Sequence, residues 1–247
     1  MLILAVLTGL MLWDVNWNEA GGNQAGSANE LVIGTDPGFK PFEYKKGSTT
    51  VGFDIDLARN IALDQNKTLR VEEMAFDGLL LALQSGRVDL VIAGMTKTPE
   101  RAENVNFSVP YYKAAQMIIV PKNSEIKNEA DLVGKKIGVQ LGTTGDDLAH
   151  KIAGAKVVQF PQTANVMQEL NAGRIEAAIM DNGPALQYLA NNPKLKMLPE
   201  ALTREEYAIA VRKGNDELLR QVNQSIRKMR ADGRYDGLVQ KYFGAQR

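Results

Sequence analysis

Two twelve-residue stretches of this chain lie over one another without a gap: LQSGRVDLVIAG at 83–94 and LNAGRIEAAIMD at 170–181. Leu matches Leu, Gly matches Gly, Arg matches Arg, Val matches Ile and Asp matches Glu. Each predicts the end of a helix, a glycine that stops it (Gly86 or Gly173) and an apolar strand directly afterwards. LVIGT (31–35) and VDLVIAG (88–94) have the continuous apolar character of buried parallel strands. FDIDLARNIALDQN (53–66) and FDGLLLALQSG (76–86) carry apolar residues at helical spacing. The second half repeats this layout with KKIGVQL (135–141), VVQF (157–160), the helix TANVMQELNAG (163–173) and the strand RIEAAIMD (174–181). Alternation of this kind predicts an α/β fold, and its recurrence predicts two α/β lobes, each a mostly parallel sheet flanked by helices. One shared helix–Gly–strand unit is weaker as evidence of duplication, because any βαβ protein reuses this turn chemistry.

Composition narrows the function classes. At 247 residues, 45% of them apolar, the chain can build one large or two modest cores. Lys plus Arg equals Asp plus Glu at 29 each, so no long-range field draws it to nucleic acid or anionic lipid, and no nucleic-acid partner is expected. The absence of Cys excludes a disulfide framework, and the single His150 cannot assemble a histidine-rich metal site. His150 falls within DDLAHKIA, where a solvated helix face is the ordinary place for it. No metal and no cofactor are expected. Leu2 to Trp13, LILAVLTGLMLW, is too short to span a bilayer as a helix and matches a signal-peptide core in length. No Lys or Arg precedes it and MLWDVNW is a poor cleavage site, which leaves a frayed hydrophobic N-terminus as the alternative. GGNQAGSAN (21–29) then reads as a linker, so residues 1–29 are expected to be a signal-like segment and linker, and the protein to be exported.

Ligands of open parallel sheets bind beyond the carboxyl ends of the strands. The residues in those places are Asp36, then Gly94, Met95 and Thr96, then Gln140 through Thr143 and Thr144, then Asp181, with Phe39, Tyr44 and Phe76 as aromatic candidates. Two facing lobes would bring these groups to one cleft, a mix suited to a zwitterion with a polar side chain. In TKTPERAENV, Thr98 reads as an N-cap and Pro99 as the first helical residue, which puts Arg101 at the positive end of a helix dipole. An arginine there gives a bidentate fork to a carboxylate, with helix-start N–H groups near Thr96 and Thr144 as further donors. The other reading is a surface arginine balanced by Glu100 and Glu103. Asp181 could accept from an ammonium, or cap the helix of DNGPALQYLA; Asp36 could be an acceptor or a turn former in TDPGF; Phe39 and Phe76 could be ligand walls or core.

Across residues 30 to 244 the chain resembles the polar amino acid solute-binding proteins of ABC importers, of the glutamine and lysine/arginine/ornithine type. The resemblance rests on GTDPGFKPFEY (34–44), VGFDIDLA (51–58), VDLVIAGMTKTPERAENVNFSVPYY (88–112), VQLGTTGDD (139–147) and GRYDGLVQKYFG (233–244), in that order. It implies a two-lobed periplasmic-binding-protein-like fold joined by two hinge strands and closing on a free L-amino acid. By that resemblance Arg101 clamps the ligand carboxylate with Thr96 and Thr144 as partners, and Asp181 with the Gly94 carbonyl receives the ammonium. Phe39 and Phe76 are similar to the aromatic walls, and Asp36 to the acceptor for a side-chain nitrogen.

Gln140 and Met180 stand where the glutamine binders of the family carry a lysine and a histidine. Loss of that positive charge, with Asp36 kept, favours a cationic side chain, because an unpaired buried cation is costly. Arginine or another basic amino acid is therefore expected first, and glutamine second; acidic amino acids are disfavoured. The expected lobes are 30–110 plus 212–247 and 118–204, with hinge strands at 111–117 and 205–211. A membrane permease is the implied partner, and a monomer is expected. A dehydratase grown from this fold would need a positioned proton donor, and a sensory domain a signalling segment. The sequence offers no obvious candidate for the first and none for the second after 244, so a free-standing binder and no enzyme are expected.

Overall fold

The computed structural model describes residues 29–244; apart from Asn29, the predicted signal-like segment lies outside the described residues. Strand β1 (Glu30–Thr35) is buried from Leu31 onward, as its run of apolar residues requires of a strand covered on both faces. It lies between β4 (Thr68–Glu73) and β5 (Leu90–Val91) in a five-stranded sheet completed by β6 (Val105–Phe107) and β14 (Ala210–Arg212), in the order β4-β1-β5-β14-β6. A second sheet has the order β10-β9-β11-β8-β12. It is formed by β8 (Gln116–Pro121), β9 (Lys136–Gln140), β10 (Lys156–Phe160), β11 (Ala177–Asp181) and β12 (Leu195–Ala201). A hairpin of β2 (Tyr44–Lys46) and β3 (Thr49–Val51) flanks the first sheet.

The two sheets share one pattern of strand direction. β1 runs parallel to β4 and β5, and β14 is antiparallel to β5 and β6. Likewise β9 runs parallel to β10 and β11, and β8 is antiparallel to β11 and β12. Strands β5 and β11, which end the two aligned sequence stretches, hold the same third place in each sheet. Each reversed strand is the one entered directly after a crossing between sheets. β7 (Tyr112–Ala114) leads into β8, and β13 (Glu205–Tyr207) leads into β14. β7 and β13 pair antiparallel with Tyr112 opposite Tyr207, so the two connections form one ribbon between the lobes.

Side chains alternate across each sheet and fill separate cores. Leu31, Ile33, Leu90 and Ile92 face helices α1 (Phe53–Asp64) and α7 (Asp216–Ala231), while Val32, Val91 and Ala93 face α2 (Leu79–Gln84). In the other lobe Met117, Ile119, Ala178 and Met180 meet α5 (Thr163–Asn171), and Ile118, Val139, Ala177 and Ile179 fill the opposite face with Leu132 and Ala149. The remaining helices are α3 (Pro99–Ala102), α4 (Thr144–Lys151), α6 (Asn182–Ala190) and α8 (Arg234–Phe243).

Some elements are shorter than the sequence pattern predicts. The apolar run 88–94 yields ladder pairing at Leu90–Val91, because the chain turns left-handed at Gly94 (φ +51°). A Cβ there would lie 2.6 Å from the Phe39 ring, so the close approach of backbone to ring requires glycine. The helix expected over 76–86 splits into a 3-10 turn at Phe76–Gly78 and α2.

Candidate ligand-binding site

The carboxyl ends of the parallel strands from both sheets meet across a cleft. Asp36, Phe39, Phe76, Gly94, Thr96 and Arg101 line one side; Gln140, Thr143, Thr144 and Asp181 line the other. Ten of the eleven residues expected from the sequence therefore share one cavity. Met95 does not: its side chain is buried in the core with Val32, Leu79 and Leu83, because the residue after the Gly94 turn points back beneath the sheet end. Tyr44 also lies away from the cavity, in the β2–β3 hairpin beneath Lys40 Nζ.

Arg101 occupies the single turn of α3, whose N-cap Thr98 accepts from the Arg101 backbone N–H through its hydroxyl. Its guanidinium donates to the Thr96 carbonyl at 2.7 Å and across the cleft to the Gly142 carbonyl at 2.9 Å, with the Phe76 ring 5.4 Å away. It makes no ion pair with Glu100 or Glu103 among the described residues, so the surface-balanced reading does not describe its position. Burial pulls its pKa below the ordinary value, against the opposing pull of Asp147, Glu205 and Asp181, but an arginine stays charged. Two of its five N–H donors are committed to carbonyls, and a guanidinium so placed can turn a fork toward a carboxylate.

Asp36, 6% exposed, accepts from Gln140 Nε2 at 2.7 Å, and Gln140 in turn accepts from the Thr163 hydroxyl at 2.7 Å. Asp36 is thus a buried acceptor rather than a turn former. Burial raises its pKa, and the Gln140 bond opposes that rise. Asp181 occupies the N-cap place of α6, but its side chain makes no capping bond; it accepts from the Tyr207 hydroxyl at 2.6 Å. Burial first, then the charge of Glu205, pushes Asp181 up to about 7.

Thr143 caps α4 by accepting from Asp146 N. The hydroxyls of Thr96 and Thr144, expected to serve a ligand carboxylate, both donate to Glu205 Oε2, at 2.6 and 2.9 Å. Gln116 adds a third donor to the same oxygen at 3.4 Å. Glu205 lies in β13 between the lobes, where strand-end reasoning does not look. Gln162 and Thr163 also line the cavity just after β10, a strand end that the same rule would have found. Glu43 lines it too, within the quoted GTDPGFKPFEY, and there its type alone was the signal.

The cavity walls therefore carry three carboxyl groups, Asp36, Glu43 and Asp181, and one guanidinium, Arg101. Further contacts hold the lobes together over it: the Tyr188 hydroxyl donates to the Gly38 carbonyl at 3.1 Å, and a Cβ on Gly142 would lie 3.2 Å from that of Asp77.

A cavity between two pseudo-equivalent α/β lobes, joined by a two-stranded ribbon, defines a two-lobed ligand-binding protein. The model of the bacterial extracellular solute-binding proteins, family 3, matches residues 31–245, and this chain belongs to that family. It is 36% identical over 236 residues to the arginine-binding extracellular protein ArtP of Bacillus subtilis, covering 92% of each chain. An ancestral arginine-binding protein bound to arginine superimposes with TM-score 0.84 at 45% identity, over 87% of this chain and 98% of that one. An ancestral arginine-binding protein bound to glutamine gives TM-score 0.85 at 45% identity, over 89% and 100%.

Proposed function

We propose that this protein captures a free basic amino acid, arginine foremost, outside the cytoplasm and delivers it to the permease of an ABC importer. The observation that carries this reading is the excess of carboxyl groups, Asp36, Glu43 and Asp181, over the lone Arg101 in one enclosed cavity. A neutral zwitterion has one charge of each sign. A basic amino acid adds a second cation, which answers that excess.

In this reading the Arg101 fork and main-chain N–H groups at the start of α4 take the α-carboxylate; Thr96 and Thr144 join them by releasing Glu205. Asp181 and the Gly94 carbonyl take the α-ammonium. Phe39 and Phe76 flank the side chain, and Asp36 accepts from its terminal nitrogen. Lobes of 30–110 plus 212–247 and 118–204 close about hinge strands 111–117 and 205–211, and the ligand favours closure because it touches both. The role is binding without turnover, in keeping with the binding proteins to which the chain is similar.

One observation supports glutamine as the second reading: the Gln140 amide already donates to Asp36, so this acceptor suits a neutral amide as well as a guanidinium. Calorimetric titration of refolded, ligand-stripped protein with arginine, lysine, ornithine, histidine, glutamine and glutamate decides between them. Tight arginine binding with weak glutamine binding is expected. Tighter glutamine or glutamate binding would overturn the basic-ligand reading.

A further inference from the structure

Glu43 and Asp54 meet behind the cavity. Glu43 lines the cavity and is 1% exposed; Asp54, in the first turn of α1, is 0% exposed. Their carboxyl groups lie against one another, and Glu43 Oε2 and Asp54 Oδ1 have no other partner. Neither makes an ion pair among the described residues. Two ionised carboxylates so buried have like charge, four oxygens and no hydrogen to share, so the pairing requires a proton on one.

The partners decide which one. Asp54 Oδ2 accepts from the Gly94 backbone N–H at 2.8 Å and from the Tyr111 hydroxyl at 2.7 Å, which favours a carboxylate there. Glu43 Oε2 is buried and meets no N–H or O–H donor. Asp54 Oδ1 likewise meets none, so a proton between the two carboxyls answers an otherwise unpartnered acceptor. The charged and titratable groups around Glu43 are Asp54 on α1, Asp36 after β1 and Asp181 on β11, with the Tyr111 and Tyr207 phenols. None is a cation. Burial, followed by the Asp54 charge, holds Glu43 well above the ordinary carboxyl range.

We infer that Glu43 and Asp54 hold a single proton between them, carried on Glu43, and that Glu43 surrenders it to solvent when the bound amino acid brings a positively charged side chain. This rests on the proposed amino acid site and deepens it: Glu43 becomes a residue that separates cationic from neutral ligands. A cation beside Glu43 supplies the opposite charge that its surroundings lack, so ionisation becomes favourable only then. A neutral side chain leaves the proton in place and meets a neutral acid.

Titration calorimetry in buffers of different ionisation enthalpy counts the protons released. Asp181 responds to the α-ammonium of every amino acid, so the quantity of interest is the difference between arginine and glutamine. Arginine is expected to release about one proton more than glutamine at neutral pH. Glu43→Gln should abolish that difference, and a difference that survives in Glu43→Gln would assign the proton to another carboxyl and overturn the inference. A second measurement needs no ligand: infrared difference spectra of wild type against Glu43→Gln should show the carbonyl stretch of a protonated carboxyl in the wild type. Absence of that band overturns the inference whatever binds. Equal proton release by arginine and glutamine, with both bound, overturns the coupling and leaves the basic-ligand reading intact. Presence of the band with no binding of any basic amino acid overturns that reading, and the coupling with it, while the shared proton stands.

Discussion

Asp36 and Gln140 belong to opposite lobes and are joined by a hydrogen bond of 2.7 Å between Oδ2 and Nε2, both residues being buried. The bond joins the two sides of the cavity. It sets Asp36 as an acceptor that a ligand nitrogen can share or take over. Asp36→Asn is expected to weaken arginine binding by tenfold or more relative to glutamine, since a charge-assisted bond loses about 1.5–3 kcal/mol when its charge goes. Parallel titrations check this. Equal weakening of both ligands would show that Asp36 holds the lobes rather than reads the side chain.

Arg101→Ala should reduce affinity for every amino acid by about 2–5 kcal/mol, the cost of leaving a buried carboxylate without its fork. The melting temperature of ligand-free protein should change little, because Arg101 belongs to no hydrophobic core. Unaltered binding in calorimetry would remove Arg101 from the site.

The pH dependence of ligand-free stability has a definite sign. Asp181 is raised to about 7 in the fold by burial, against roughly 3.9 for a free aspartate. Between those values the folded state keeps a proton that the unfolded state has lost, so stability falls as pH rises through the window. Asp54, raised to about 6 by burial, acts in the same direction. Melts of wild type against Asp181→Asn should converge at the acidic end and separate toward pH ~7, by a few kcal/mol at most. A flat difference would contradict the burial of Asp181.

Ligand affinity should run the other way. An α-ammonium binds the ionised form of Asp181, so affinity should rise with pH up to about 7 and level off above. Titrations of glutamine, whose side chain is neutral, isolate this effect. Affinity unchanged across the window would place the ammonium elsewhere.

Gly142 has φ +77°, its carbonyl accepts from Arg101, and a Cβ would sit 3.2 Å from Asp77 Cβ. Gly142→Ala adds about 1 kcal/mol of left-handed strain and crowds the point where the lobes touch. Binding should weaken several-fold, and small-angle scattering with ligand should show a more open molecule. Normal closure would mean that Asp77 yields.

Much of the fold was legible in the chain. The aligned stretches at 83–94 and 170–181 carry their own glycine stops and strand patterns, and they became β5 and β11 at equivalent places in two sheets. Strand-end reasoning located Asp36, Gln140 and Asp181 because a parallel sheet delivers all its carboxyl ends to one edge. Those are local rules, applied once the strands are known.

What the sequence could not decide is what meets across the cleft. Glu205 takes the hydroxyls of Thr96 and Thr144, which lie 109 and 61 residues away from it along the chain. Glu43 and Asp54 come into contact because α1 starts beneath the turn at Phe42, where Asp54 N donates to the Phe42 carbonyl. Met95 followed the strand-end rule in number but went into the core, since one residue of left-handed turn at Gly94 reversed its direction. Local pattern determines which residues form strands, caps and stops, because these interactions span only a few residues. Pairing and protonation of buried charges depend on distances set by packing of the whole chain, and the tertiary structure alone supplies those.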